Sequence, residues 1–529
     1  MRHNTSTRKH QSAVKPSQKR AGFLLLGSII WLSSTSNCAG VGAETISSAQ
    51  TGKHYENTAN WRKAIESYNQ ELALSPRDAH CLARRGYAHA RLGNFKQSFV
   101  DFSAAIEADS ACPDAYSRRA RVYTGLGFIQ LAKQDAQKAL TLIGDAPSEP
   151  NLLLEHAGLL YIVENKQVAD LESKKVLDLC KTNKDSSTLL NLAGAHFNLG
   201  DFKDTVYYTT QALCLEPTNS YLHLIRGAAC YQLRQYSMAV TDLNCHINNE
   251  LIAPMALCAR GDCYMAMGNY QKALADYELA LKQAPNYVYA LRMHGRAQHR
   301  LGRLTNAVDD FARSIALDPT DAYSYAERAY IYCQLKQGPQ ALKDAQQAII
   351  LKSDYAFAYR SKAWAYELQG QFEKAIEEYT RAIELAQNNS EGYYDRGLCY
   401  RSQKKYANAI ADLTTAIKYS PDDAFAYCAR GSALVSNHQY EQAIADCTRS
   451  LQLRERAHPH LSRGIAYARL GKYKSAIKDF NEAIRQVHDY GEAYYERSLV
   501  YKALKMKTMA ASDFKFAKSF GYQSPEAMR

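Results

Sequence analysis

Basic and acidic side chains recur along this chain in pairs separated by 16 residues. At eleven places, always at the same two positions of a longer repeating pattern, a basic residue, usually arginine, is followed 16 positions later by Asp or Glu. The pairs are Arg85 with Asp101, Arg119 with Asp135, Arg226 with Asp242, Arg260 with Asp276, His294 with Asp310, Arg328 with Asp344, Lys362 with Glu378, Arg396 with Asp412, Arg430 with Asp446, Arg463 with Asp479 and Arg497 with Asp513. The planar guanidinium of arginine can bind a carboxylate through two hydrogen bonds. We therefore predict internal ion pairs. The alternative, a charged track for a ligand, requires charges that do not neutralise one another.

Motifs that would signal a catalytic centre are absent from the sequence, which has no phosphate loop and no HExxH, GxSxG or GxGxxG pattern. His458 and His460 flank Pro459 and are interpreted as part of a solvated loop rather than a metal site. The 13 cysteines form no CxxC pair, and their irregular spacing indicates small buried residues rather than zinc ligands. A disulfide such as Cys399 with Cys428 is the alternative in an exported chain. The sequence thus predicts no catalytic residue, no metal and no cofactor.

The charged pairs belong to a pattern that repeats every 34 residues from about residue 45 to about residue 524. If the first residue of a repeat is position 1, positions 8, 20 and 27 are nearly always Gly or Ala, as at Gly295. Apolar and small residues recur at spacings of three and four within positions 1–14 and again within 17–30, which predicts two helices. A Leu-Gly step such as Leu301-Gly302 ends the first helix, and a proline such as Pro319 follows the second. Each repeat is therefore predicted to be a helical hairpin.

This pattern resembles the tetratricopeptide-repeat family. The resemblance covers 14 repeats, of which 45–78 is weak and 147–185 is degenerate and five residues too long. It implies an all-α fold, a right-handed superhelical solenoid of about 14 antiparallel helix pairs. The predicted organisation is a signal peptide at 1–43, the repeat array at 44–524 and a C-terminal tail at 525–529.

The resemblance also implies which residues line the concave wall, because positions 2, 5, 9, 12 and 13 of the family face it. In the four repeats from 288 to 423 these positions carry many aromatic residues and arginines. The predicted groove residues are Tyr289, Arg292, Arg296, His299, Arg300, Tyr323, Tyr330, Phe357, Arg360, Trp364, Tyr394 and Arg401. Such side chains are enriched at binding hot spots. The alternative is an ordinary solvated helix face whose rings cover the seams between repeats.

The N-terminal segment has the composition of a secretory signal peptide. Residues 1–20 contain six basic residues and no acidic one, and an apolar run from Ala21 to Leu32 follows. That run is shorter than the ~20 residues that a membrane-spanning helix requires. We therefore expect an exported chain, in the periplasm, the cell envelope or the medium. The alternative is a chain anchored in the membrane by an uncleaved N-terminal segment.

The leading functional hypothesis is a non-catalytic exported scaffold that binds protein or peptide segments, acidic ones among them, in its groove. Removal of residues 1–43 takes six charges from the net +12 and leaves about +6, too small an excess to indicate nucleic-acid binding. One alternative is an envelope glycan-binding protein whose groove aromatics stack on sugars. Another is an enzyme with an unrecognised site. The sequence leaves the identity of the partner and the oligomeric state open.

Overall fold

The computed structural model describes residues 51–52, 55–56, 61–126, 128–180, 185–249 and 253–523. These described residues are 81% helical and form 27 helices and no strand. The predicted all-α architecture of paired helices is confirmed. The predicted signal peptide and C-terminal tail lie outside the described residues. Among the helices that are described, none is both long and apolar enough to cross a membrane.

The chain divides into two compact units, and the first ends at Thr320. Its helices are α1 (Trp61–Leu74), α2 (Ala79–Arg91), α3 (Phe95–Ala108), α4 (Pro113–Leu126), α5 (Ile129–Ile143), α6 (Pro150–Ile162), α7 (Lys166–Leu179), α8 (Ser186–Leu199), α9 (Phe202–Leu215), α10 (Ser220–Gln232), α11 (Tyr236–Asn249), α12 (Pro254–Ala266), α13 (Tyr270–Gln283), α14 (Val288–Arg300) and α15 (Leu304–Leu317). From α2 onward, each even-numbered helix packs against the odd-numbered helix that follows it. The unit is therefore a stack of helical hairpins.

The second unit begins at Asp321 and is built in the same way. Its helices are α16 (Ala322–Gln334), α17 (Gly338–Leu351), α18 (Ala356–Leu368), α19 (Phe372–Leu385), α20 (Ser390–Ser402), α21 (Tyr406–Tyr419), α22 (Ala424–Ser436), α23 (Tyr440–Leu453), α24 (Ala457–Arg469), α25 (Tyr473–Gln486), α26 (Gly491–Ala503) and α27 (Lys507–Ser519). Even-numbered helices are the first helices of the repeats. Successive first helices also contact each other, so that they form one continuous face of the unit.

Small residues at position 8 stand where the two helices of a hairpin approach each other. A Cβ atom added to Gly261 would lie 2.7 Å from Cε1 of Tyr277, and one added to Gly464 would lie 2.7 Å from Cε1 of Phe480. A larger side chain does not fit in such close packing. The turn between the helices has a different requirement, a left-handed backbone, which Gly302 provides with a φ of 79°.

All eleven predicted ion pairs are present, and each joins the two helices of one hairpin. Arg430 is representative, because its Nε donates to Asp446 Oδ2 at 2.7 Å and its Nη2 donates to Oδ1 at 2.7 Å. The carboxylate is 7% exposed. The other arginines use the same two donors, whereas His294 and Lys362 each make one contact. The pairs fix the register of the two helices in each hairpin.

A third donor of the same arginines ties each hairpin to the hairpin before it. Nη1 of Arg430 donates at 3.0 Å to Oγ1 of Thr414, which lies 16 residues earlier. The same contact with a Thr or Asn recurs at other arginines. These contacts join Arg85 to Asn69, Arg226 to Thr210, Arg260 to Asn244, Arg396 to Thr380, Arg463 to Thr448 and Arg497 to Asn481. Seven of the nine paired arginines therefore bridge two consecutive repeats, a role that the sequence analysis did not predict.

The degenerate repeat at 147–185 contains a further pair that the sequence analysis missed. Its first helix begins at Pro150 and its second at Lys166, the same offset of 16 residues that the other hairpins have. His156 Nδ1 lies 2.9 Å from each carboxylate oxygen of Glu172, 16 residues away. The extra residues before Pro150 move every helical residue of this repeat three positions later than in the other repeats. The pair therefore does not fall at the two positions where the other pairs lie. The constant spacing of 16 would have revealed it.

Candidate peptide-binding groove

Five aromatic rings adjoin one another on the first helices of the second unit. Between ring centroids, Tyr330 lies 5.3 Å from Trp364 and 5.4 Å from Phe357. Phe357 lies 6.0 Å from Tyr355, which in turn lies 5.0 Å from Tyr323. Tilted and edge-on contacts at these distances are favourable between aromatic rings. We call these five residues the aromatic ladder. All of them except Tyr355 are predicted groove residues.

The ladder forms because α16 and α18, the first helices of consecutive repeats, pack side by side. Ala326 and Ala358 are completely buried and keep the two backbones close enough for their rings to meet. Trp364 packs one side against Cys333 and Ala365, which are almost fully buried. The rings on α16 and α18 are partly exposed, so the ladder combines a fixed position with accessible apolar surface.

Arg360, next to the ladder on α18, is bound by carboxylates of the following repeat. Its Nε and Nη2 donate to Asp395 Oδ2 at 2.9 and 2.6 Å, and its Nη1 donates to Glu391. The residue is 7% exposed. Burial alone would lower the pKa of the guanidinium, but Asp395 and Glu391 outweigh burial and raise it. Binding of a ligand by Arg360 stays a prediction, and the structure adds that this cation already has two acidic partners.

A third carboxylate, Glu367, lies in the last turn of α18, three residues after Trp364. Its Oε2 accepts a hydrogen bond from the Tyr379 hydroxyl at 3.3 Å. Burial, and then the charge of Asp395, raises the pKa of Glu367 to about 7. Such a carboxyl is only partly ionised at neutral pH. The ladder is therefore flanked by three acidic side chains, an arrangement that the sequence analysis did not predict.

The other two predicted residues of the second unit, Tyr394 and Arg401, lie on α20. Tyr394 is partly buried and packs against a core cluster that includes Leu413 and Ala429. The charge of Arg401 favours ionisation of Glu367, although the larger effect of burial prevails. These two residues extend the face of first helices beyond the ladder.

The remaining five predicted residues lie on α14 in the first unit. Tyr289 is 7% exposed, and the guanidinium of Arg292 lies over its ring at 5.4 Å from the centroid. Arg292, Arg296, His299 and Arg300 are all partly buried. With His294, which pairs with Asp310, five basic side chains thus share one helix of 13 residues.

Asp262, a buried carboxylate on α12, faces α14. Its Oδ1 accepts a hydrogen bond from Tyr277 at 2.6 Å, and its Oδ2 accepts one from Tyr289 at 2.5 Å. Burial raises the pKa of Asp262 to about 6, against the opposing effects of the two hydroxyls and of Arg296 and Arg292. Tyr289 is therefore held inside the unit by its hydroxyl group.

Five residues of these two regions escaped the sequence analysis. Asp262, Glu367 and Glu391 stand at positions 9, 12 and 2 of their repeats, so the groove register would have found them if acidic residues had been considered. Asp395 stands at position 6 and Tyr355 at position 34, outside the set of groove positions. No signal within one repeat points to these last two, because their partners lie in the neighbouring repeat.

The interpretation of His458 and His460 as a solvated loop is wrong. Both residues lie in the first turn of α24, which begins at Ala457. Pro459 is tolerated there because the N–H groups of a first helical turn have no intrahelical partner. His460 is 7% exposed, and its Nδ1 lies 2.8 Å from Asp479 Oδ1.

The described cysteines are all free thiols, and no disulfide joins Cys399 to Cys428. Cys230, Cys263, Cys399 and Cys447 are completely buried, which confirms their predicted packing as small apolar residues. Burial also raises the pKa of the Cys399 thiol to about 12, so that it stays protonated at neutral pH.

Comparison with known sequences supports the repeat assignment directly. Family models described as tetratricopeptide repeat or TPR repeat match residues 258–322, 356–389, 378–411, 397–438 and 457–486. RNA polymerase II-associated protein 3 of Xenopus laevis is 26% identical over 36% of this chain and 31% of its own length. DnaJ homolog subfamily C member 7 of Homo sapiens is 21% identical over 46% of this chain and 43% of its own length. The chain thus spans less than half the length of these curated relatives.

Among solved structures, the Cut9–Hcn1 hetero-tetramer of the APC/C is similar over 85% of this chain and 95% of the matched chain, with 16% identity and a TM-score of 0.46. The family models lie in both compact units, and the hairpins that they match have the small positions and turn geometry described above. The chain is a tetratricopeptide-repeat protein.

Proposed function

We propose that this chain is a non-catalytic scaffold that binds protein or peptide segments along the face formed by the first helices of its repeats. Tetratricopeptide-repeat proteins generally bind protein or peptide partners. The observation that carries the proposal is the aromatic ladder, in which four partly exposed rings and the buried ring of Tyr355 adjoin one another on a rigid support. Rigid aromatic side chains bind with little loss of conformational entropy.

The charges around the ladder define the kind of segment that fits it. Arg360 is engaged by two carboxylates, and a third carboxylate, Glu367, lies one helical turn from Trp364. An apolar or aromatic side chain packed on the rings, next to a lysine or arginine, would satisfy this excess of acidic groups. The four basic predicted groove residues of α14 in the first unit favour the opposite kind of segment, with acidic side chains or a terminal carboxylate.

Export is part of the proposal and rests on residues 1–43, which carry basic residues followed by an apolar run. Expression of the full-length chain in a bacterial host, followed by N-terminal sequencing of the protein in each cell fraction, tests it. A mature chain that begins near Glu44 supports export. A chain that keeps Met1 in the soluble cytosolic fraction contradicts it.

The binding proposal is tested by selecting peptides from a random display library on the full chain. Peptides that bind the ladder should lose about thirtyfold in affinity, or ~2 kcal/mol, when Trp364→Ala removes a ring. Tyr419→Ala is the matched control, because Tyr419 is a 39% exposed aromatic residue of the second unit that lies outside the ladder. Equal affinity for wild type and Trp364→Ala would reject the ladder as the site.

A parallel screen against an array of envelope oligosaccharides separates the peptide proposal from the glycan alternative. If the wild-type chain binds glycans and no peptide, and Trp364→Ala abolishes glycan binding, the rings act as a sugar-stacking surface. In that case the peptide proposal would be wrong, and the aromatic ladder would be a glycan-binding site.

A further inference from the structure

Three side chains with metal-binding atoms converge at the junction of α23, α24 and α25. They are Glu455 before α24, His460 in α24 and Glu482 in α25, and one ligand atom from each lies within 4.8 Å of the others. His460 Nε2 is 2.6 Å from Glu455 Oε1. The Glu455 side chain is 59% exposed, so the cluster is open to ions from solvent.

The opposite side of the His460 ring determines what Nε2 can do. Its Nδ1 lies 2.8 Å from Asp479 Oδ1, and Arg463 donates two hydrogen bonds to the same carboxylate. The Asp479 carboxylate, paired with Arg463, is a hydrogen-bond acceptor and so holds the ring with Nδ1 toward Asp479. Nε2 is thereby directed at Glu455.

A histidine that binds a metal almost always donates its other ring N–H to a carboxylate, a backbone carbonyl or water, because this contact fixes the tautomer and orients the ring. Asp479 is in that position at His460.

His223 provides an internal comparison, since it occupies the same place in an earlier repeat. It lies three residues before Arg226, as His460 lies three before Arg463, and its Nδ1 is 2.9 Å from Asp242. Its Nε2, however, faces the Pro217 carbonyl oxygen at 3.3 Å and no carboxylate. In both repeats a histidine Nδ1 contacts the aspartate that pairs with the arginine, so this contact has a structural role. That role does not account for the two glutamates near Nε2 of His460.

We propose that Glu455, His460 and Glu482 form a site for a divalent metal ion, with Zn²⁺ as the best fit. One imidazole nitrogen and two carboxylate oxygens are ligands that Zn²⁺ accepts, and three protein ligands leave one tetrahedral position for water. Neither the proposed peptide binding nor the repeat architecture requires this site.

Two neighbours set the strength of the site. Gln486 Nε2 donates to Glu455 Oε1 at 2.9 Å and to Glu482 Oε1 at 3.1 Å, so it bridges the two carboxylates. Arg485 donates from Nε and Nη2 to the Glu482 carboxylate. A metal ion must displace the Gln486 amide and share Glu482 with Arg485. Gln486→Ala should therefore strengthen metal binding rather than weaken it.

Titration of the full-length chain with ZnCl₂ by isothermal calorimetry at pH 7.5, with thiols blocked by alkylation after the fold is formed, tests the proposal. The wild type should bind one Zn²⁺ ion, and His460→Gln should abolish that binding. Loss of an outer partner of a metal site typically weakens affinity by about 10- to 100-fold, and loss of the ligand Glu482 in Glu482→Gln should cost at least as much.

His223→Gln is the matched control, because it removes an equivalent His–Asp contact and leaves both glutamates intact. It should bind Zn²⁺ as the wild type does, whereas a general loss of folding would affect both histidine variants. Circular dichroism of each variant verifies its helix content. If the wild type shows no heat of binding, or if His460→Gln binds Zn²⁺ as tightly as the wild type, the proposal is wrong.

Discussion

Helix α14 of the first unit and the aromatic ladder of the second unit satisfy the same positional rule, but they differ in the balance of charge around them. On α14, three arginines and two histidines share one helix, and the neighbouring carboxylate, Asp262, is hydrogen-bonded by two tyrosines. Beside the ladder, Arg360 is held by Asp395 and Glu391. The groove register therefore predicts which face a residue occupies, whereas the side chains of neighbouring repeats decide the charge balance at that place.

The largest expected effect comes from Arg360→Ala, which leaves two acidic groups without their cation. Breaking a buried ion pair on one side typically destabilises a protein by about 3–5 kcal/mol. Chemical denaturation of the full chain, monitored by circular dichroism, measures the loss. Arg381→Ala is the control, since Arg381 and its partner Glu384 are 54% and 55% exposed and such a solvated pair contributes little to stability. Equal stability of the two variants would show that the contacts of Arg360 contribute no more than an exposed pair.

The next effect concerns binding at α14. Arg296→Glu should weaken the affinity of acidic peptides by about thirtyfold, or ~2 kcal/mol, because it reverses the charge at the centre of the basic helix. Peptides selected on the ladder should keep their affinity. Arg313→Glu, which changes an exposed arginine on α15 of the same unit, controls for net charge. A fall in melting temperature without a change in affinity would identify Arg296 as a packing residue.

A double-mutant cycle on Arg430 and Asp446 measures how much an arginine paired within its own hairpin contributes to the stability of the fold. Each alanine substitution alone should destabilise the chain by a few kcal/mol, and the double variant should cost less than their sum by about 1–2 kcal/mol. The free energies of unfolding of the four proteins give this coupling. Strictly additive losses of stability would show that Arg430 and Asp446 have no net interaction energy, although the geometry of their pair recurs in other repeats.

The smallest effect is a pH dependence at Glu367. A pKa raised from 4.5 to about 7 means that folding favours the neutral carboxyl, and this contribution is complete below pH 4.5 and lost as the pH rises to about 7. The Gln side chain of Glu367→Gln stays neutral, so this variant does not lose stability as the pH rises. From pH 5 to pH 8 its stability relative to the wild type should therefore increase by about 1 kcal/mol, after allowance for partial exposure. Thermal melts at both pH values test this. The exposed Glu377→Gln should show no such trend.

Features that depend on one repeat were predictable from the sequence, because the 34-residue period displays each of them many times. The hairpins, the glycine turns and the ion pairs such as Arg430 with Asp446 are of this kind. Contacts between repeats were not predictable in the same way. Arg360 meets Asp395 and Glu391 at separations of 35 and 31 residues, and this combination of side chains is particular to one junction.

Local irregularities misled the sequence analysis in two places. The shortened junction before His460 suggested a loop, although a first helical turn accommodates Pro459 without loss of a hydrogen bond. The lengthened repeat at 147–185 concealed His156 and Glu172. Positions were counted from the first residue of the repeat, and the extra residues move this pair away from positions 7 and 23 although its spacing of 16 residues is kept. In both places the helices keep their 16-residue offset, and the extra or missing residues fall in the connections between hairpins.

The arrangement of the arginine contacts has a consequence for how such a chain changes over time. Each arginine–aspartate pair with the 16-residue spacing closes within its own hairpin, and most of these guanidiniums contact the preceding hairpin through a neutral Thr or Asn. Gene duplication or deletion of a whole 34-residue segment therefore transfers these pairs complete. At each new junction such an arginine needs only another hydroxyl or amide at the equivalent position. A junction with a buried ion pair between repeats, such as that of Arg360 with Asp395 and Glu391, differs, because loss of one repeat there would strand a charge.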